Sequence, residues 1–188
     1  MLSNAIWENR AGWPMHFVLC YPKLSPADGE AIEAFRRVHE PARAKMVRAH
    51  VTLVFGITSL GAEALAAHAT AIARTSAPFD FAFNGMEVGA HETGDHNLFL
   101  KVGEGRDRLV ALHQGLYAGA LSRERRDDME FAPHMTIATD AELKTVITAA
   151  MSAKPLSAIR GRIDALEIAT LSGGALDKGA SIPLTGPI

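Results

Sequence analysis

Two histidines, each followed two positions later by a threonine, stand out from the rest of the chain. The segments are His50-Val51-Thr52-Leu53 and His134-Met135-Thr136-Ile137, and the two histidines are 84 residues apart. In an extended strand successive side chains alternate between faces. Each His and its Thr then share one surface, while Val51, Leu53, Met135 and Ile137 point into a core. Two such surfaces facing each other give a cleft lined by two imidazoles and two hydroxyls, an inventory suited to in-line cleavage of a phosphate ester. One neutral imidazole takes a proton from the attacking water or hydroxyl, and the other, protonated, donates to the leaving oxygen. Histidine serves both roles because its ordinary pKa of about 6.5 leaves both forms accessible near neutrality. The threonine hydroxyls would donate to the non-bridging oxygens as charge builds on them. One His-x-Thr is nearly worthless as a signal, so the weight falls on the pair and on its placement.

That placement is set by the elements. Phe17 to Tyr21 reads as a buried strand, and Ser25-Pro26-Ala27-Asp28 as the start of a helix that stops near Pro41. His50 to Ile57, rich in Val, Thr, Leu and Phe, reads as a strand, and residues 61–76 as an alanine-rich helix. Residues 79–90 and 97–102 are extended around a turn at Glu92-Thr93-Gly94-Asp95. Residues 106–123 have the helical spacing of Leu109, Leu112 and Leu116. His134 to Ala138 is again a strand, Thr139-Asp140-Ala141-Glu142 has the form of a capping box for a following helix, and the chain ends in strands beyond Pro155. The order strand, helix, strand, helix, proline, strand thus occurs twice, with one His-x-Thr at the same place in each copy. The expected architecture is α+β: residues 1–188 as a single domain of two pseudo-symmetric lobes, each a mostly antiparallel sheet with outer helices, facing across a central cleft.

The paired motifs and their flanks, His50-Val51-Thr52-Leu53-Val54-Phe55-Gly56 and Phe131-Ala132-Pro133-His134-Met135-Thr136-Ile137, resemble the 2H phosphoesterase superfamily over roughly residues 16 to 170. That group includes the 2′-5′ RNA ligases, which act as RNA 2′,3′-cyclic phosphodiesterases. The resemblance implies His50 and His134 as catalytic pair, Thr52 and Thr136 as phosphate ligands, and no metal or other cofactor. It implies hydrolysis of a 2′,3′-cyclic phosphate, on an RNA end or a nucleotide, to a 2′-phosphate. One departure stands out: RNA-processing members often carry an arginine three residues after the second motif threonine, where this chain has Thr139. Helix capping is the role its context suggests.

The remaining candidates are weaker. Arg43, Lys45 and Arg48 precede the first motif and Arg123, Arg125 and Arg126 the second. Arg48 and Lys45, with Tyr21, are the expected substrate contacts, against the plainer reading of a solvated face beside Glu124, Asp127, Asp128 and Glu130. Phe17, Phe55, Phe99 and Phe131 offer faces for stacking a base, although core packing is the commoner fate. His16 precedes a strand and could edge the cleft; His39, His68 and His113 fall in helices. His91 and His96, with Glu92 and Asp95, could hold a metal or simply flank a turn.

Bulk properties narrow the field. The formal charge of −2 argues against a sequence-blind nucleic-acid binder that works by neutralising phosphates. The single cysteine, Cys20, excludes an internal disulfide and suits a buried small hydrophobe. No run approaches the ~20 apolar residues of a membrane span, and the first residues do not read as a signal peptide. A cytoplasmic monomer without membrane contact is the simple expectation. The rival readings are a two-histidine enzyme acting on a small cyclic or 2′-5′-linked nucleotide, a non-catalytic RNA- or nucleotide-binding module, and a metal-dependent hydrolase built on His91 and His96.

Overall fold

Apolar residues of the strands and the inner faces of the helices close around one main core, in a computed structural model that describes residues 13–90, 94–125 and 130–187. His91, Glu92, Arg126, Asp127 and Asp128 lie outside the described residues. The strands are β1 (Met15–Cys20), β2 (Val51–Ile57), β3 (Phe79–Ala90), β4 (His96–Val102), β5 (His134–Asp140), β6 (Arg160–Ile163), β7 (Ala165–Ser172) and β8 (Ala175–Pro183). The helices are α1 (Pro26–His39), α2 (Pro41–Met46), α3 (Ala62–Ala73), α4 (Arg106–Leu116) and α5 (Leu143–Ser152). The fold is α+β, in two lobes.

Each lobe is a four-stranded sheet, one in the order β2-β1-β7-β8 and the other β5-β4-β3-β6, with every pairing antiparallel. The sheets do not follow the two halves of the chain. Strand β3, which closes the first half, crosses to the second sheet and pairs with β4 and β6. The first sheet is completed instead by β7 and β8 from the C-terminal end. The repeat survives where it matters: β2 beside β1 in one lobe matches β5 beside β4 in the other. Both motif strands are sheet edges, and β2 and β5 pack against each other.

Local chemistry accounts for most boundaries. Ser25 caps α1, its hydroxyl accepting from the Asp28 N–H at 3.1 Å, with Pro26 in the first turn. Pro41 does end α1, but it also opens α2, because a proline with its fixed φ is as good a first helical residue as it is a poor interior one. The expected helix over 106–123 ends at Leu116; Gly119, at φ +64°, turns the chain into a 3-10 segment at Gly119–Glu124. The capping box expected at Thr139 is not used. Thr139 and Asp140 extend β5, and α5 starts after Glu142 without a side-chain cap.

The polar interior of α1 bears on the site. Arg36 is 2 % exposed and bonds Glu40 through Nε, Glu33 Oε2 at 3.0 Å and the Val47 carbonyl at 3.0 Å. The other oxygen of Glu33 accepts the Ala49 N–H at 2.7 Å. One buried ion cluster therefore grips Val47 and Ala49, the segment that delivers His50.

Candidate active site

His50 sits immediately before β2 and His134 is the first residue of β5. In both, Nδ1 lies against the backbone carbonyl two residues back: Arg48 O at 2.7 Å for His50, Ala132 O at 2.8 Å for His134. A carbonyl only accepts, so each Nδ1 carries hydrogen and each neutral ring presents a bare Nε2. Thr52 and Thr136 share the half-buried face with their histidines, while Val51, Leu53, Met135 and Ile137 are buried. Among the described residues neither threonine hydroxyl is engaged by another side chain.

Register reveals a device common to both strands. Leu19 faces Thr52 and Val18 faces Val54, so Leu53 is an extra residue in β2. Phe99 faces Thr136 and Leu98 faces Ala138, so Ile137 is an extra residue in β5. Each His-x-Thr thus runs straight into a one-residue bulge, which breaks the alternation and re-aims the residues after it. Thr139 comes back onto the face of His134 and Thr136, where its cross-strand partner is Asn97. In β2 the bulge frees backbone groups that α4 collects: His113 Nδ1 donates to the Leu53 carbonyl at 2.8 Å, and the Phe55 N–H donates to the Tyr117 hydroxyl at 3.1 Å. His113 is stacked flat on Phe131 at 3.8 Å, fixing the loop ahead of His134.

Aromatic rings wall both imidazoles. The Tyr21 ring meets His50 edge-on at 5.8 Å between centroids, and Phe99 lies 4.3 Å from His134. Phe99 can do so because Gly89, behind it on β3, has no side chain; a Cβ there would come within 2.6 Å of the ring. Tyr21 is also flanked by cations, the Arg48 guanidinium 4.6 Å and the Lys178 amine 5.8 Å from its centroid. Its hydroxyl is buried without a hydrogen-bond partner among the described residues, and burial, reinforced by Glu167, pushes its pKa up to about 12.

The electrostatic settings of the two histidines differ. Burial lowers the pKa of His50 to about 4 against the opposing pull of the Arg48 carbonyl, and the charges of Arg36, His134 and Arg43 push the same way as burial. Burial also lowers His134, but the Ala132 carbonyl and the nearby Glu87 carboxylate pull it back up. His134 acts on His50 through space, so the two rings lie within electrostatic reach of each other.

With that geometry in view, the comparisons decide the family. Residues 11–175 match the family described as the 2′-5′ RNA ligase superfamily. The chain belongs to it. Its members are the two-histidine phosphoesterases and ligases. Solved structures share the fold at low identity. TT0787 of Thermus thermophilus is 17% identical with a TM-score of 0.59, covering 93% of this chain and 100% of that one. Escherichia coli LigT complexed with NADP+ is 18% identical with a TM-score of 0.58, covering 92% and 99%. Usb1 of Kluyveromyces marxianus is 10% identical with a TM-score of 0.54, covering 90% and 98%. No curated protein matches the chain in sequence.

Within this 2′-5′ RNA ligase superfamily protein, the residues singled out from sequence divide. His50, Thr52, His134 and Thr136 come together on the facing motif strands, and Tyr21 and Arg48 stand beside His50. Lys45 does not join them; it is exposed on α2 with no bond or ion pair to the site among the described residues. His16 lies on the core face of β1, 8 % exposed and bonded to the Thr170 hydroxyl at 2.9 Å, not at the cleft edge. Thr139, expected as a cap, instead donates its hydroxyl to Asn97 Oδ1 at 2.7 Å and accepts from Arg43 Nη1 at 3.2 Å. Cys20 is fully buried. Among the described residues no group of three or more His, Cys, Asp or Glu is placed to hold a metal ion, and no helix is long and apolar enough to cross a membrane.

Proposed function

We propose that the protein is a cyclic phosphodiesterase that opens a 2′,3′-cyclic phosphate, on an RNA end or a nucleotide, to a 2′-phosphate with His50 and His134 as its acid–base pair. The observation that supports this reading is the matched pair of imidazoles on strands that pack against each other, each bonded through Nδ1 to a backbone carbonyl so that Nε2 is left for the reaction. Their unlike surroundings support unlike roles. His50, held neutral by burial and by its cationic neighbours, serves as base; His134, beside Glu87, is the better place to keep a proton and serves as acid. Water adds to phosphorus as its proton passes to His50 Nε2, the P–O3′ bond breaks, and His134 Nε2–H protonates the departing O3′. Thr52 and Thr136 donate to the non-bridging oxygens, whose charge grows in the transition state. Afterwards His50 holds the extra proton and His134 lacks one, and exchange with solvent restores both.

The chemistry needs no metal if the two rings carry both protons. Nucleotide ligands also fit the cleft's aromatic walls: related structures contain LigT complexed with 3′-AMP and Usb1 with uridine monophosphate. A panel of nucleoside 2′,3′-cyclic phosphates, RNA ends and 2′-5′-linked dinucleotides, assayed in EDTA with products identified by phosphorus NMR, tests the assignment. Conversion of a 2′,3′-cyclic phosphate to the 2′-phosphate is expected. Exclusive turnover of 2′-5′-linked substrates would move the assignment to that class, and activity that EDTA abolishes would remove the two-histidine mechanism.

A further inference from the structure

Among the described residues, Arg43 reaches the face of the second sheet that carries His134. Arg43 projects from α2, and its Nη1 donates to Thr139 Oγ1. Thr139 spends its own hydroxyl proton on Asn97, which is 4 % exposed, so the threonine is a fixed acceptor with one orientation. Because the bulge at Ile137 turns Thr139 onto the face of His134 and Thr136, the guanidinium is pinned on that face too. His50, across the cleft, feels the same charge. Arg43 therefore lies within reach of both motif strands.

Its bonding is incomplete for a cation so placed. Burial disfavours the charged form, the charges of Glu40 and Asp95 favour it, and the bond to Thr139 is made to a neutral hydroxyl. A guanidinium carries five N–H donors in a planar fork that matches phosphate oxygens. Arg43 is half-buried, and its one hydrogen bond to Thr139 leaves other donors of the fork for an anion in the cleft.

We propose that Arg43 is a third ligand of the phosphoryl group, donating N–H to a non-bridging oxygen while Thr139 holds the fork in place. The inference rests on the phosphodiesterase reading above. In a cyclic phosphate two non-bridging oxygens share one negative charge, and attack by water concentrates more on them. A charge-assisted bond to one of them strengthens as the reaction proceeds.

The test compares wild type with Arg43→Met, Arg43→Lys and Thr139→Val, measuring inorganic phosphate affinity by calorimetry alongside kcat and KM on a nucleoside 2′,3′-cyclic phosphate. Arg43→Met should weaken phosphate binding by about 10-fold and lower kcat/KM by about 10²-fold. Arg43→Lys, which keeps charge and loses the fork, should recover part of each, and Thr139→Val should show a smaller loss than either. Wild-type phosphate affinity and kcat/KM in Arg43→Met would overturn the proposal and leave Arg43 a strut between α2 and β5, whatever the melting temperature does. If Arg43→Met fails to fold, wild-type values in Arg43→Lys overturn it equally. Phosphate binding needs no turnover, so the two readings separate. Arg43-dependent binding without hydrolysis sinks only the phosphodiesterase, hydrolysis indifferent to Arg43 sinks only this inference, and a wild type that does neither sinks both.

Discussion

Histidine ring chemistry sets the sharpest expectations. With His50 at about 4 and His134 lowered from 6.5, kcat/KM should be bell-shaped and centred below neutrality. The acidic limb falls near pH 4, where His50 gains its proton; the alkaline limb falls below 6.5, where His134 loses its own. A pH–rate series checks this, and the bound anion should move the kcat profile to higher pH. The same shift bears on stability. Neutral His50 favours the folded state, so its contribution is complete above pH 6.5 and is lost as pH falls through the folded value of about 4. Thermal melts should show His50→Gln losing less stability than wild type over that window. Substituting Thr52 or Thr136 by Val should lower turnover by about 10²-fold with little change in melting temperature, the signature of a lost transition-state donor. At this scale the sequence picked out the duplicated His-x-Thr, and the fold carries its four side chains on or beside two strands that pack against each other. Arg43 stood out only as one of the basic residues ahead of the first motif; its bond to Thr139, 96 positions away, was not legible, because nothing in the local sequence encodes how α2 lies against β5.

Elements explain why those four side chains hold their places. Edge strands leave one row of backbone groups unpaired, and a bulge adds more. In β2 the surplus goes to His113 and Tyr117 at the end of α4, residues that in sequence look like ordinary helix positions. Tyr117→Phe should leave the Phe55 N–H buried and unbonded, at a cost of about 1–3 kcal/mol in chemical denaturation. The ion cluster of α1 is a second support. Arg36→Met abandons Glu40 in the interior and releases Val47, and should destabilise the fold by about 3–5 kcal/mol while lowering turnover through the misplaced His50. Helix positions and their apolar faces could be read from spacing, as at Leu109, Leu112 and Leu116. The bulges could not, since one additional β-branched or aliphatic residue in a strand leaves no mark on composition. The misread capping box at Thr139 has the same origin: residues that cap helices also pair well across strands, and the Asn97 partner lies 42 positions away.

Across the whole molecule, the internal repeat correctly anticipated two lobes with the motif strands in matching places. It did not anticipate that β3 crosses to the second sheet while β7 and β8 complete the first, because strand exchange is decided by long-range pairing rather than by pattern along the chain. The exchange ties the lobes together, so the imidazoles are carried on two sheets that cannot separate without breaking the core. Two groups held this way should act as a unit on one phosphorus atom. The most direct test is a double-mutant cycle of His50→Ala and His134→Ala on a nucleoside 2′,3′-cyclic phosphate in EDTA. Each single substitution should lower kcat by at least ~100-fold, and the double mutant should be scarcely worse than the poorer single one. Wild-type turnover in either single mutant would contradict the account.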